Sequence, residues 1–205
     1  MEYREKYEGW LSNPYFDENT KDELRSIAED DNEIKERFYK DLEFGTAGLR
    51  GIIGAGTNRM NIYMVRKATQ GLANYLNKQG GKKSVAISYD SRIKSDVFAR
   101  EAARVLAGNG VKAYLYKELM PVPALSFATR HLHCDAGIMV TASHNPAKYN
   151  GYKAYGPDGS QLNLEMSERV IECVGKVDIF EGVRSISLEE GIGEGGSSNI
   201  SAMSC

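Results

Sequence analysis

The chain has 205 residues, with 26 Lys and Arg against 28 Asp and Glu and a net charge of −2. That length fits one or two domains and buries a core without disulfide staples. The near-neutral balance excludes a bulk electrostatic pull toward nucleic acid or an anionic membrane, and no run of about 18 apolar residues offers a membrane span.

The opening stretch "MEYREKYEGW" is charged and lacks the apolar centre of a secretion signal. Cys134, Cys173 and Cys205 are an odd set at irregular spacing, which argues for a reducing compartment and a cytoplasmic protein. A helix around Trp10 comes first. "TKDE", Thr20 to Glu23, reads as a capping box in which Thr20 caps the next helix and Glu23 reaches back. "NEIKERFYK" completes a helical N-terminal arm over residues 1–40. "FGTAGLRGIIGAG" is a glycine-rich loop leading into a strand. The spacing of Ile62, Val65, Ala68, Leu72 and Leu76 predicts a helix capped by Asn61 and stopped at Gly80.

"SVAISYD" is a buried strand. "DVFAREAARVLAGNG" is a helix closed by glycines, with Phe98, Ala102, Val105 and Leu106 inside. "VKAYLYK" is a strand, "PALSFATRHL" a short helix and "AGIMVTAS" an apolar strand. "GYKAYGPDGSQL" predicts a hairpin turning at Pro157-Asp158-Gly159. "LEMSERVIECV" is a last amphipathic helix. Residues 191–205, "GIGEGGSSNISAMSC", are poor in apolar residues and without period, so they read as an unstructured or non-native tail.

Strand–helix alternation with short glycine-rich links predicts an α/β fold: a three-layer α/β/α domain over residues 41–190 with a mostly parallel, mixed sheet, preceded by the helical arm. Active residues of such sheets gather where loops leave the carboxyl ends of strands. Three loops qualify: Asp90-Ser91-Arg92, Met120-Pro121, and the loop around Ser143.

"VTASHNPAKYNGYK" gathers a hydroxyl (Ser143), an imidazole (His144), an Asn145-Pro146 turn and, ten residues past the serine, Lys153. A hydrolase reading fails, because there is no G-x-S-x-G elbow and an adjacent histidine seldom has the geometry to act as that serine's base. "HLHC", His131 to Cys134, has some zinc flavour but no second ligand pair, and it reads better as a helix C-terminus. Arg50 in the glycine loop suits a phosphate, whose oxygens match a guanidinium fork, or else a surface ion pair. Lys153 beside Tyr152 and Tyr155 is either a solvated strand charge or a partly desolvated general acid/base.

Taken together, "TASHNP", the following "NGYK" and the upstream "FGTAGLRG" resemble the α-D-phosphohexomutase superfamily, closest to its phosphoglucomutase/phosphomannomutase members and the branch that also acts on pentose phosphates. The resemblance runs in order through residues 1–190 and corresponds to the first of the family's four domains. It implies that Ser143 carries a phosphoryl group, passes it to a sugar monophosphate to give a bisphosphate, and takes back the other phosphate. It implies Lys153 as general acid/base, His144 orienting the loop or the sugar hydroxyl, and Arg50, Thr46 and Asn145 as substrate- or phosphate-binding residues. It also implies Mg²⁺ held in part through the Ser143 phosphate, a sugar bisphosphate activator, a hexose or pentose phosphate substrate, and the remaining domains of a parent enzyme as partners. Neither nucleic acid nor membrane is implied. The family's aspartate–glycine metal loop, its sugar-selecting loop and its phosphate-anchoring loop have no counterpart in this chain. An isolated, non-catalytic phosphate-binding module of the same fold is the alternative.

Overall fold

The computed structural model describes residues 2–46, 48–193 and 199–204. Three helices come first: α1 (Glu2–Ser12), α2 (Glu18–Arg25) and α3 (Asp31–Phe38). They close around Trp10, which stacks on Phe16 with ring centroids 4.1 Å apart and meets the edges of Phe38 and Tyr63. Tyr63 belongs to α4 (Ile62–Asn77), so the arm is pinned to the body of the protein by an aromatic cluster. The expected cap of α2 is corrected. Asp17, not Thr20, caps it, accepting from the Thr20 amide at 2.8 Å. Glu23 turns outward to Arg37 (2.5 Å) and to the Ala55 amide (3.0 Å). A carboxylate already in capping position leaves a glutamate at that site free to tie α2 to α3 and to the loop before α4. Burial alone would raise the Asp17 carboxyl, but the Thr20 amide and the Tyr63 hydroxyl outweigh it and hold the group below its usual range.

Asn61 caps α4 as its spacing predicts, accepting from the Met64 amide at 3.0 Å, and the chain reverses at Gly80 with φ +70°. Beyond it follow β2 (Ser84–Tyr89), α5 (Ser95–Gly108), β3 (Lys112–Tyr116), α6 (Val122–His131), β4 (Ala136–Val140), β5 (Tyr149–Tyr155), α7 (Leu164–Gly175), α8 (Leu188–Ile192) and β6 (Ile200–Met203), with β1 (Gly48–Ile52) preceding α4. The sheet order is β1-β5-β4-β2-β3-β6. The pairs β4–β2, β2–β3 and β3–β6 are parallel, while β5 runs antiparallel to both β4 and β1. Helices cover both faces. Ile138, Val140, Tyr152 and Ala154 face the layer of α4, α5 and α7, whereas Met139, Ala86 and Tyr155 face α6. Covered on both sides, β4 is buried at every position and reads as a continuous apolar run.

Two expectations change. The turn at Pro157-Asp158-Gly159 forms, with Gly159 at φ +77°, but its return arm is a single bridge of Gln161 to Tyr155 before α7 begins. The expected unstructured stretch 191–205 holds regular structure at both ends: α8 runs to Ile192, and Ile200–Met203 add a parallel strand to β3 with Ile200 buried. A short strand beside a long one draws its order from that partner's backbone groups, which local composition does not record. The middle and end of that stretch, residues 194–198 and Cys205, lie outside the described residues.

Candidate functional site

Because β4 and β5 pair antiparallel, residues 141–148 join them as a hairpin loop rather than through a helix, and this loop holds Ser143. It leaves the same end of the sheet at which the parallel strands β2 and β3 finish. There the Asp90 amide donates to the Val140 carbonyl, the Met120 amide to the Tyr89 carbonyl, and the Ser88 hydroxyl to the Met120 carbonyl. The three loops selected from the sequence therefore meet at one edge.

Ser143 is exposed and sits at φ +55°, a left-handed conformation unusual for a residue with a Cβ. Such a residue persists only where its surroundings fix it. Its amide donates to Thr141 Oγ1 at 2.9 Å, and the Asn145 amide donates to the Ala142 carbonyl at 3.1 Å. Ser143 Oγ lies 3.3 Å from His144 Nδ1, a long contact for a hydroxyl and an imidazole. Arg50 Nη1 reaches the Asn145 side-chain oxygen at 3.2 Å, which brings β1 to the serine loop.

The register places Arg50 and Lys153 on one face. Arg50 lies opposite Gly151, and the Gly151 carbonyl accepts from the Thr141 amide, so one cross-sheet row runs from Arg50 to the root of the serine loop. Lys153 is in the next row on that face, between Gly48 and Met139, about 7 Å along the strand. It is half-buried, and its side chain makes no hydrogen bond or ion pair among the described residues. Its expected setting among tyrosines is corrected in part. Tyr152 points to the opposite face, fully buried and hydrogen-bonded to Thr69 at 3.3 Å, and burial pushes its phenol up against the smaller pull of that bond. Tyr155 shares the lysine's face. Thr46 is exposed, and its carbonyl accepts from the Ser167 hydroxyl of α7; no hydrogen bond joins it to the serine loop among the described residues.

A glycine lets β1 lie close against β5 at this point. A Cβ on Gly48, at φ +132°, would lie 1.8 Å from the Tyr152 carbonyl oxygen. Gly48→Ala should therefore cost on the order of 3 kcal/mol, combining overpacking against backbone with a forbidden φ. Gly80→Ala, at φ +70° with nothing within 4 Å, should cost about 1 kcal/mol. Urea midpoints of the two variants check the order.

The sequence reading placed Arg92 in one of the three candidate loops but gave it no role. Its guanidinium donates to the carbonyl oxygens of Ser143 (2.5 Å), Asn145 (2.7 Å), Pro146 (3.2 Å) and Tyr149 (3.2 Å). Asp90 faces its Nε at 3.6 Å and is itself held by the Arg92 amide and by Ser95. Position at the carboxyl end of β2 is the signal that selected its loop; nothing in the sequence marks the carbonyls it binds. A cleft of about 430 Å³ opens here, lined by Asp90, Ser91, Arg92, Ser143 and Asn145 among others.

The residues present do not form a magnesium cage. Among the described residues no three His, Cys, Asp or Glu side chains are grouped to hold a metal, and Asp90, the carboxylate lining the serine cleft, is committed to Arg92 and Ser95. "HLHC" follows the same rule. His131 ends α6 and stacks on Phe127 at 5.1 Å, and Cys134 is free and buried. Calorimetry on the unphosphorylated chain should find no Mg²⁺ binding tighter than millimolar, because Mg²⁺ wants carboxylates and phosphate oxygens in near-octahedral array. A micromolar site would contradict this donor set.

The family model for phosphoglucomutase/phosphomannomutase, alpha/beta/alpha domain I, matches residues 41–179. The chain belongs to that family. It is 48% identical over 148 residues to a phosphoglucomutase of Staphylococcus aureus, covering 71% of this chain and 27% of that protein. A phosphoglucomutase of Staphylococcus saprophyticus is 47% identical over 137 residues, covering 67% of this chain and 25% of the relative. A Thermus thermophilus structure provisionally assigned as a phosphomannomutase superposes with TM-score 0.62 at 33% identity, covering 71% of this chain and 33% of that one. The chain thus spans about a quarter of the length of these curated relatives. No helix among the described residues is long and apolar enough to cross a membrane.

Proposed function

We propose that this chain is the phosphoryl-carrying domain of a phosphoglucomutase/phosphomannomutase that interconverts sugar 1- and 6-phosphates through a phosphoserine and a bisphosphate. The observation that carries the reading is Ser143, exposed on a left-handed loop at the strand ends, with Arg50 and Lys153, whose side chain has no partner among the described residues, on the sheet face beside it. Phosphoryl transfer asks a protein mainly for positioning and charge stabilisation. A phosphoserine brings about −1.5 to −2 charge; Arg50 is a cation placed to balance it, and Lys153 becomes one when its neutral amine takes up the sugar hydroxyl proton.

In the first half-reaction a sugar hydroxyl oxygen bonds to phosphorus as the bond from phosphorus to Ser143 Oγ breaks. The hydroxyl proton passes to Lys153. The serine oxygen leaves beside the His144 ring, whose Nδ1 is 3.3 Å away and can return a proton. The second half-reaction reverses these transfers with the other phosphate of the bisphosphate. Asn145 holds Arg50 to the loop, and Thr46 stands in the glycine loop that leads to it. Magnesium would neutralise charge on the phosphate; its ligands apart from that phosphate come from other domains of the parent enzyme, which also select the hexose or pentose. Free, buried Cys134 and Cys173 suit a cytoplasmic enzyme.

The test is direct. The gene product purified from its source should carry phosphate on the peptide containing Ser143, located by mass spectrometry. Incubation with glucose 1-phosphate, Mg²⁺ and a catalytic amount of glucose 1,6-bisphosphate should exchange that phosphate with the sugar. Phosphate confined to another residue, or no exchange, would refute the reading and favour a non-catalytic module.

A further inference from the structure

An arginine in a phosphoryl-transfer cleft is ordinarily read as a phosphate ligand. The hydrogen bonds of Arg92 say otherwise. Each of its two Nη atoms carries two hydrogens, and all four point at main-chain carbonyls of the serine loop and its junction with β5: Nη2 at Ser143 and Asn145, Nη1 at Pro146 and at Tyr149, the first residue of β5. The remaining donor, Nε, faces Asp90. No donor is left for a ligand. The Arg50 side chain, by contrast, is exposed and makes one hydrogen bond among the described residues, to the side chain of Asn145.

We propose that Arg92 is the positioning residue of the serine loop: its guanidinium gathers three loop carbonyls and the first carbonyl of β5 and so holds Ser143 in its left-handed conformation, without binding the sugar phosphate. The use of that held loop in phosphoryl transfer rests on the function proposed above; the clamp itself does not.

Behind Arg92 the support runs inward. Asp90 accepts from the Arg92 amide at 3.0 Å and from Ser95 Oγ at 2.8 Å. Ser95 in turn accepts from Asn150 Nδ2 at 3.0 Å, and Asn150 also donates to the Ile93 carbonyl at 2.9 Å. Ser95 and Asn150 are both fully buried. The clamp is therefore anchored at the start of α5 and on β5, two elements that the core fixes independently of the loop.

The clamp also has a consequence for the loop's outer side. No peptide bond among the described residues is cis. Turning the Ser143 carbonyl toward Arg92 therefore turns the His144 N–H the other way, and that amide has no acceptor among the described residues. A free amide next to Ser143 suits an anion carried on its Oγ. Arginine is required for such a device. A lysine offers three donors on one nitrogen and cannot span four carbonyls.

Two measurements on the 205-residue chain test this. In the wild type, the Arg92 guanidinium protons should give separate NMR signals, with rotation about the Nε–Cζ bond at least tenfold slower than for Arg50. In Arg92→Lys, hydrogen exchange at the amides of Ser143, Asn145 and Tyr149, each bonded within the loop, should accelerate at least tenfold while the β4 amides stay within twofold. Arg92 rotating as fast as Arg50, or loop exchange within twofold of wild type, would overturn the proposal. Should the substitution loosen β4 as well, the wild-type guanidinium signals decide alone. Neither readout involves phosphate on Ser143, so the clamp and the phosphoserine reading fail separately.

Discussion

Ser143→Ala in the parent enzyme should abolish sugar phosphate interconversion to below the assay background, leave no phosphopeptide from residues 141–148, and leave the fold intact. The reasoning starts from what alanine removes. The hydroxyl belongs to an exposed loop, and its one polar contact among the described residues is the long approach to His144. Its loss costs no buried hydrogen bond. The Ser143 amide and carbonyl, which carry the loop's bonds to Thr141 and Arg92, are main-chain groups that alanine retains. Alanine at φ +55° costs about 1 kcal/mol more than a residue with a favourable left-handed conformation, and serine already bears that cost. The melting temperature should accordingly shift by only a few degrees. Chemistry is a different matter. A covalent carrier has no partial substitute, because without Oγ there is no atom to which phosphorus can bond. Turnover near the wild-type rate would return "TASHNP" to the status of an ordinary loop.

Which parts of this protein were legible in its sequence follows the range of the interactions concerned. Helix α4 was readable because its cap, apolar stripe and stop lie within about twenty residues. The cap of α2 was misread for an equally local reason: Asp17 and Thr20 are both good capping residues three apart, and the choice between them depends on Glu23 finding Arg37, fourteen residues on. Strand β6 was invisible because "ISAM" acquires its hydrogen bonds from β3, more than eighty residues earlier. Tyr152 facing away from Lys153 was available from the alternation of a strand, had the period been applied to "YNGYKAY". The serine motif was legible as a resemblance, and its neighbours Arg50 and Asn145 do meet. Arg92 was not, since it acts on a loop about fifty residues away through that loop's carbonyls, which have no side-chain signature.

Lys153→Met should slow the parent enzyme by roughly 10²–10⁴-fold, the range for losing a positioned proton carrier, while phosphoserine remains detectable. The site chosen for the substitution is structurally permissive. Lys153 is half-buried on β5, pairs through its backbone with Gly48 and Met139, and offers no side-chain hydrogen bond or ion pair that methionine would break among the described residues. Methionine keeps most of the aliphatic stem and removes the ammonium, so the sheet should melt within a few degrees of wild type. The effect then falls on proton movement and on charge beside the phosphate. The two are separated by Lys153→Arg. Arginine keeps the charge but is not deprotonated in proteins, so it supports phosphate binding without serving as a base. If proton transfer is the lysine's work, Arg should be nearly as slow as Met, with KM for the sugar phosphate close to wild type in Arg and raised in Met. If charge is its work, Arg should recover most of the rate. Equal, near-normal rates in both variants would remove Lys153 from the mechanism and leave the acid/base to another residue.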